Sequence, residues 1–143
     1  AGRCIGACLE YARAKNTPIM VYVFSDGSVA SNGMIDDSVN GGGKGVWTGD
    51  NSSTAASFYL VYDPTGRPTA RSNQIGYMRS DASVETSSSP AANNVNLLVQ
   101  TVLLNYMALH GEQGDFASKF PNHGLGNATL QDSLIGMETL LSG

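Results

Sequence analysis

Ile19-Met20-Val21-Tyr22-Val23-Phe24 is an unbroken apolar run, entered through Pro18 and cut off by Ser25-Asp26-Gly27-Ser28. A strand with one wet face alternates apolar and polar residues, because successive side chains point to opposite sides. This run does not alternate. It predicts burial on both faces, as in a central strand of a parallel sheet covered by helices. Immediately upstream, Ile5, Cys8, Leu9 and Ala12 recur at helical spacing, with Arg3, Glu10, Arg13 and Lys15 on other faces. That pattern predicts an amphipathic helix from residue 2 to residue 15, stopped by Asn16-Thr17-Pro18. A helix feeding a doubly buried strand is the second half of a β-α-β unit, so its first strand would precede Ala1.

Farther along, Ser57-Phe58-Tyr59-Leu60-Val61-Tyr62 reads as a second strand. Asp63-Pro64-Thr65-Gly66 carries a strong turn signal, with Pro second and Gly fourth. Residues 67–71 form the return arm of a β-hairpin in this reading, and residues 75–78 another short extended piece. Between the two strands, residues 28–56 are rich in Gly, Ser, Asn and Asp and read as one long loop, with Val46-Trp47 pinning it to the body. Ser89-Pro90 offers a cap and a first helical position. The helix they open would bury Val95, Leu98, Val102, Leu103, Tyr106 and Met107, and His110-Gly111 would close it. Residues 115–120 suit a single helical turn. Thr129-Leu130-Gln131-Asp132 resembles a capping box, opening a last helix with Leu130, Leu134, Met137 and Leu141 inward. The expected fold class is therefore α/β: a partial, mainly parallel sheet with flanking helices, plus a β-hairpin, completed by upstream elements. Residues 1–143 form one domain or the C-terminal part of a larger one.

The 143 residues are 41% hydrophobic, enough for a core, and only 14% charged, where about a quarter is usual. Hydroxyl and amide side chains take the place of ions on such a surface, a composition common among exported bacterial proteins. A periplasmic or extracellular location is expected. The net charge of -4 and the scattered eight Lys and Arg exclude nucleic acid as a partner, since phosphate binding needs a concentrated basic surface. No apolar run approaches the roughly 20 residues of a membrane span. The chain starts at Ala1 without Met, as a processed or partial polypeptide would.

Cys4 and Cys8 are the two cysteines. Four residues apart, they share one face of the expected helix. Three readings stand side by side: a pair of small buried apolar residues, a strained redox pair, or half of a metal site.

Sites in open α/β sheets gather beyond the carboxyl ends of strands. Asp26 falls at such an end, where a carboxylate serves as metal ligand, as base, or simply as the cap of a turn. Asp36, Asp37 and Asp50 follow in the polar loop and offer oxygen ligands, although their spacing matches no calcium-loop motif. Residues 41–45, Gly-Gly-Gly-Lys-Gly, lack the Ser or Thr that follows Lys in a phosphate-binding loop. His123, in Phe120-Pro121-Asn122-His123-Gly124, is the candidate site histidine, against the alternative of a loop imidazole bonded to backbone. His110 suits the negative end of its helix. The candidate site is thus Asp26, Asp50 and His123, with no residue assigned as catalytic. Asn51-Ser52-Ser53 and Asn127-Ala128-Thr129 match the glycosylation acceptor pattern.

The segment CLEYARAKNTPIMVYVFSD, residues 8–26, resembles the late part of the alkaline-phosphatase-like superfamily, which includes the sulfatases. There a strand ends in Ser-Asp-His-Gly or a relative, whose Asp and His bind metal. More closely, the chain resembles a branch of Tat-exported bacterial proteins in which a Gly-rich stretch and a Gly-Arg-Asp-His-Trp-like segment follow that strand. GKGVWTGD, residues 43–50, occupies the corresponding place. SPAANNVNLLVQTVLLNYMALHG, residues 89–111, is similar to the family's penultimate helix. Two departures matter: Gly27 rather than His follows Asp26, and no Asp-His pair precedes Trp47. The nucleophile and first ligands that the family requires would lie before Ala1. The resemblance therefore implies an incomplete metal site and a non-catalytic scaffold, binding or surface-assembly role. Two alternatives remain open: a metal-dependent phosphate or sulfate ester hydrolase, with a divalent cation at Asp26 and its main ligands upstream, and a subunit of an extracellular filament or coat. No cofactor is expected otherwise. The expected partner is the rest of the same polypeptide or another protein subunit.

The cysteine spacing yields a test of its own. Melting curves with and without reductant are expected to superpose. A large fall in melting temperature on reduction would instead reveal a structural disulfide.

Overall fold

The computed structural model describes residues 2–24, 30–48, 57–73, 75, 80–81, 90 and 94–140. The first helix, α1, spans Gly2–Lys15, as its periodicity predicts. Asn16 ends it in the left-handed region at φ 52°. Its N–H reaches the Arg13 carbonyl at 3.1 Å and the Thr17 N–H reaches that of Ala12 at 3.0 Å. This pair of bonds is the Schellman ending, with Asn in the place usually held by Gly. Of this helix only Ala12 is fully buried, and both cysteines are exposed and free. The reading of Cys4 and Cys8 as buried apolar residues is therefore corrected: the helix turns Ile5 and Leu9 partly inward and leaves the thiols outside.

Strand β1, Ile19–Val23, pairs with β4, Phe58–Tyr62. The pairing is antiparallel, with Val21 opposite Leu60 and Tyr22 opposite Tyr59. Between them in sequence, β2 (Ala30–Asp36) and β3 (Lys44–Thr48) form a second antiparallel pair with an irregularity between Ser31 and Ile35. The fold is mixed α/β, as expected. The parallel arrangement is not what the described strands form: both pairings run antiparallel. An apolar run reports how much of a strand is covered, not the direction of its neighbour. Every β1 residue is half-buried, none fully, and among the described residues β4 is its one neighbour.

The β2–β3 hairpin occupies part of what reads in sequence as a long loop. Its tip is built by Asp36, whose carboxylate accepts from the Ser38 N–H at 3.0 Å. Gly41 donates to the Ser38 hydroxyl, and Gly43 to the Asp36 carbonyl at 2.9 Å. The Asp36 carboxyl leaves no space for a Cβ at Gly41, while Gly42 and Gly43 take φ of 59° and 75°. The glycine run is thus a turn that closes over an aspartate. Beyond β4, Asp63 bridges to Gly66 as the turn signal predicts, but the return arm goes elsewhere: Ala70 bridges to Met137.

Helix α2, Val95–Leu109, starts later than Ser89-Pro90 suggests. Asn94 is its cap, accepting from Leu97 N–H at 3.0 Å; Ser89 is outside the described residues. Gly111, at φ 71°, terminates the helix, with Glu112 N–H bonded to Met107 O at 2.9 Å and Gly111 N–H to Ala108 O at 3.0 Å. Its buried residues are Thr101, Leu104, Asn105, Met107, Ala108 and Leu109. This corrects the expected stripe: Val95, Leu103 and Tyr106 are exposed. The helix is rotated so that Asn105 points inward, and that rotation has a clear cause. Asn105 Oδ1 accepts from the Tyr59 hydroxyl at 2.9 Å and from Gly136 N–H at 2.8 Å. Its Nδ2 donates to the carbonyls of Thr101 and Leu134, each at 2.9 Å. All four hydrogen-bonding positions of the amide are filled.

A 3-10 turn, Gln113–Asp115, leads into the single turn α3, Phe116–Lys119. The last helix, α4, is Ala128–Ser133, capped by Asn127, not Thr129. Asp132 is accordingly free to form a two-pronged pair with Arg71 at 3.0 Å. Leu134 is buried while Leu130 is exposed, and Leu141 lies outside the described residues. Leu104, Met107, Ala108, Phe116, Leu125, Leu134 and Ile135 make the core, with Ile75 and Leu97 against it. Residues 134–140 run as a tail across the end of α2 and the segment 69–72: Leu140 N–H bonds Leu109 O, and Glu138 N–H bonds Thr69 O, both at 2.9 Å.

Tyr59 gives this arrangement a pH dependence. Burial raises its phenol pKa above the ordinary value, so the folded chain holds that proton more tightly than the unfolded chain. The resulting stability is complete below about pH 10 and is lost as pH rises through the folded value. Tyr59→Phe is expected to cost about 1–2 kcal/mol at neutral pH and to flatten that alkaline loss. Asn105→Ala, which strands two donors and two acceptors, is expected to cost about 3 kcal/mol or more. Urea melts from pH 7 to pH 11 measure both.

Candidate functional site

Of the three candidate residues, Asp26 and Asp50 lie outside the described residues, and His123 is described. His123 follows α3 and stands at the rim of an open cleft of about 310 Å³ lined also by Gln100, Lys119, Phe120, Pro121 and Asn122. The cleft forms because the tight turn after α3 lays residues 120–124 against the middle of α2. Gln100 fixes that contact, its side-chain oxygen accepting from Gly124 N–H at 2.9 Å. A Cβ at Gly124 would come within 2.6 Å of Leu97 Cδ2, so a larger residue there requires the Leu97 side chain to shift.

The imidazole of His123 is turned into the fold. Its Nδ1 accepts from Leu125 N–H at 3.2 Å. Nε2 lies 3.4 Å from the Gln131 amide nitrogen, and that amide donates to the Gly126 carbonyl at 2.8 Å. The ring meets Phe116 edge-on at 5.3 Å, and Phe116 packs on Phe120 at 5.1 Å. His123 thus shapes the loop that carries Leu125 into the core, the backbone-bonded alternative of the two sequence readings. Lys119 leans toward Glu112 at 3.5 Å on the surface. The cleft therefore presents an ammonium, two amides and a phenyl ring beside the imidazole, without a nucleophile–base pair among the described residues.

The other acids stand apart from this cleft. Asp36 and Asp37 are at the tip of the β2–β3 hairpin, both exposed. The Asp36 carboxyl is held below the usual carboxylate range, chiefly by its side-chain hydrogen bond with Ser38 and then by the Ser38 backbone. Lys44 stands opposite Asp36 across the hairpin, so the Gly-rich segment makes a strand-to-strand turn rather than a strand-to-helix phosphate loop. His110 is the C-cap of α2, its ring 4.9 Å from that of Tyr106. Asn127 caps α4, with its side-chain oxygen accepting from Leu130 N–H at 3.0 Å; Asn51 is outside the described residues. Among the described residues, no three His, Cys, Asp or Glu side chains converge to hold a metal ion.

Gln100 and Gln131 escape sequence reading, as does Asn105. The available signal is subtle: α2 contains no charged residue at all, so its amides are the groups that must find partners if the helix is covered. No protein-family model, curated protein or solved structure matches the chain.

His123→Ala should remove the acceptor for Leu125 N–H and the edge contact with Phe116. The expected loss is about 1–3 kcal/mol, read as a lower melting temperature. His123→Asn, which keeps a side-chain acceptor, should recover part of it. Equal melting of both variants and the parent would show that the imidazole is not structural.

Proposed function

We propose that this chain is a non-catalytic assembly domain of an exported, alkaline-phosphatase-like protein. It works by contact with the rest of its own polypeptide or with another protein subunit, in the periplasm or extracellular space. The observation that carries the reading is the outward face of α2. Val95, Val99, Leu103 and Tyr106 are exposed by 75%, 50%, 38% and 51%, and they fall at i, i+4, i+8 and i+11, a continuous apolar stripe on one face. Phe58 and Leu60 are exposed separately, on the face of β4 opposite Tyr59. Contiguous exposed apolar surface marks contact sites. The order α1 then β1 supports the likeness to the alkaline-phosphatase-like superfamily, and the inward-turned His123 supports a role other than catalysis. Among the described residues no helix is long and apolar enough to cross a membrane.

Sedimentation velocity over a range of concentrations tests the reading. Self-association, or binding of an apolar dye by the folded chain, is expected, and the double change Val99→Lys with Leu103→Lys should abolish it. Because both sites are at the surface, melting should stay within roughly 0.5 kcal/mol per site. A chain that stays monomeric and binds no dye would overturn the assembly role. Turnover of aryl phosphate or aryl sulfate with Zn²⁺, Mg²⁺, Mn²⁺ or Ca²⁺, abolished by Asp26→Asn, would replace it with the hydrolase alternative.

A further inference from the structure

Cys4 and Cys8 have no role in the core, in a disulfide or in the assembly surface just described. Both are free and exposed on a regular helix of 14 residues. Both lie within the regular helix Gly2–Lys15, so the separation of the two side chains is set by helical geometry. Side chains four apart stand one above the other, with Cβ atoms about 5–6 Å apart. A disulfide needs Cβ atoms about 3.5–4.5 Å apart, which this helix reaches only by distorting. An ion held between two thiolates needs no such approach. Metal–thiolate bonds are a little over 2 Å long, about 2.3 Å for zinc, so a linear S–M–S unit sets the sulfurs roughly 4–5 Å apart, within what staggered χ1 rotamers of the two residues reach.

The ligand count then selects the ion. Zinc in structural sites takes four protein ligands, and no further His, Cys, Asp or Glu joins the pair to make a group of three among the described residues. Thiolates are soft donors and favour soft ions. A monovalent d¹⁰ ion such as Cu⁺ is satisfied by two thiolates in line. We propose that Cys4 and Cys8 form a two-coordinate dithiolate site for one Cu⁺ per chain, on the exposed face of α1. Two thiols lose their protons, two Cu–S bonds form, and no electron moves.

The test is a competition experiment on the whole reduced chain under anaerobic conditions, with Cu⁺ supplied as its bicinchoninate complex. The chain is expected to withdraw one equivalent of Cu⁺. Cys4→Ser and Cys8→Ser should each weaken binding by on the order of 100-fold, since one thiolate cannot hold a two-coordinate ion. The far-ultraviolet dichroism and melting of both variants, measured without metal, should match the parent, because the positions are exposed. Failure to withdraw Cu⁺, equal binding by either single variant, two ions per chain, or one ion per two chains would each overturn the proposal.

Discussion

One side-chain amide holds the architecture together. Asn105 projects from an uncharged helix into the core and ties α2 to two segments distant in sequence, β4 and the tail. It bonds β4 through the Tyr59 hydroxyl, its own helix through Thr101, and the tail through Leu134 and Gly136. Each bond contributes modestly on its own, but an amide in the core without partners costs more than any of them contributes. The network therefore specifies one arrangement and penalises the others. Gly136 belongs to it as well, because a Cβ there would collide with the Tyr59 hydroxyl and crowd the Ser72 carbonyl.

That constraint also explains how far the sequence can be read. The helix Gly2–Lys15, the strand at 19–23 and the helix ending at His110-Gly111 follow from local rules that act within one or two turns: apolar spacing, a proline, a glycine with positive φ. What eludes local rules depends on distant partners. The inward face of α2 is displaced from Leu103 and Tyr106 toward Thr101 and Asn105, because a tyrosine from β4 and a glycine from the tail await the amide. Apolarity alone favours the other face. The β2–β3 hairpin eludes reading for a different reason. Its strands carry polar residues, and its glycines resemble a flexible loop until Asp36 is seen folded over Gly41.

The candidate site divides in the same way. A loop histidine flanked by Pro121 and Gly124 is visible in sequence, but the direction of its ring is not. That direction follows from the Leu125 N–H, which must be satisfied if Leu125 is to enter the core. His123 thus takes the role of a loop-shaping residue. The cysteines show the converse: their spacing is visible at once, while their exposure depends on which helical face the strand covers.

The tail that crosses residues 69–72 and the end of α2 has a consequence for the order of assembly. The cluster of Phe116, Leu125 and Leu134 is built from residues near in sequence and closes small loops. Tyr59–Asn105 and Arg71–Asp132 join residues 46 and 61 apart. Contacts that close long loops form late, since chain entropy is lost before they return anything. On that ground the C-terminal helices are expected to form first and residues 57–72 to dock onto them afterwards. Until they do, Asn105 faces water, and the strand 19–23 has no edge to pair with. The interval before docking is when this chain is most exposed to pairing with a strand from another molecule.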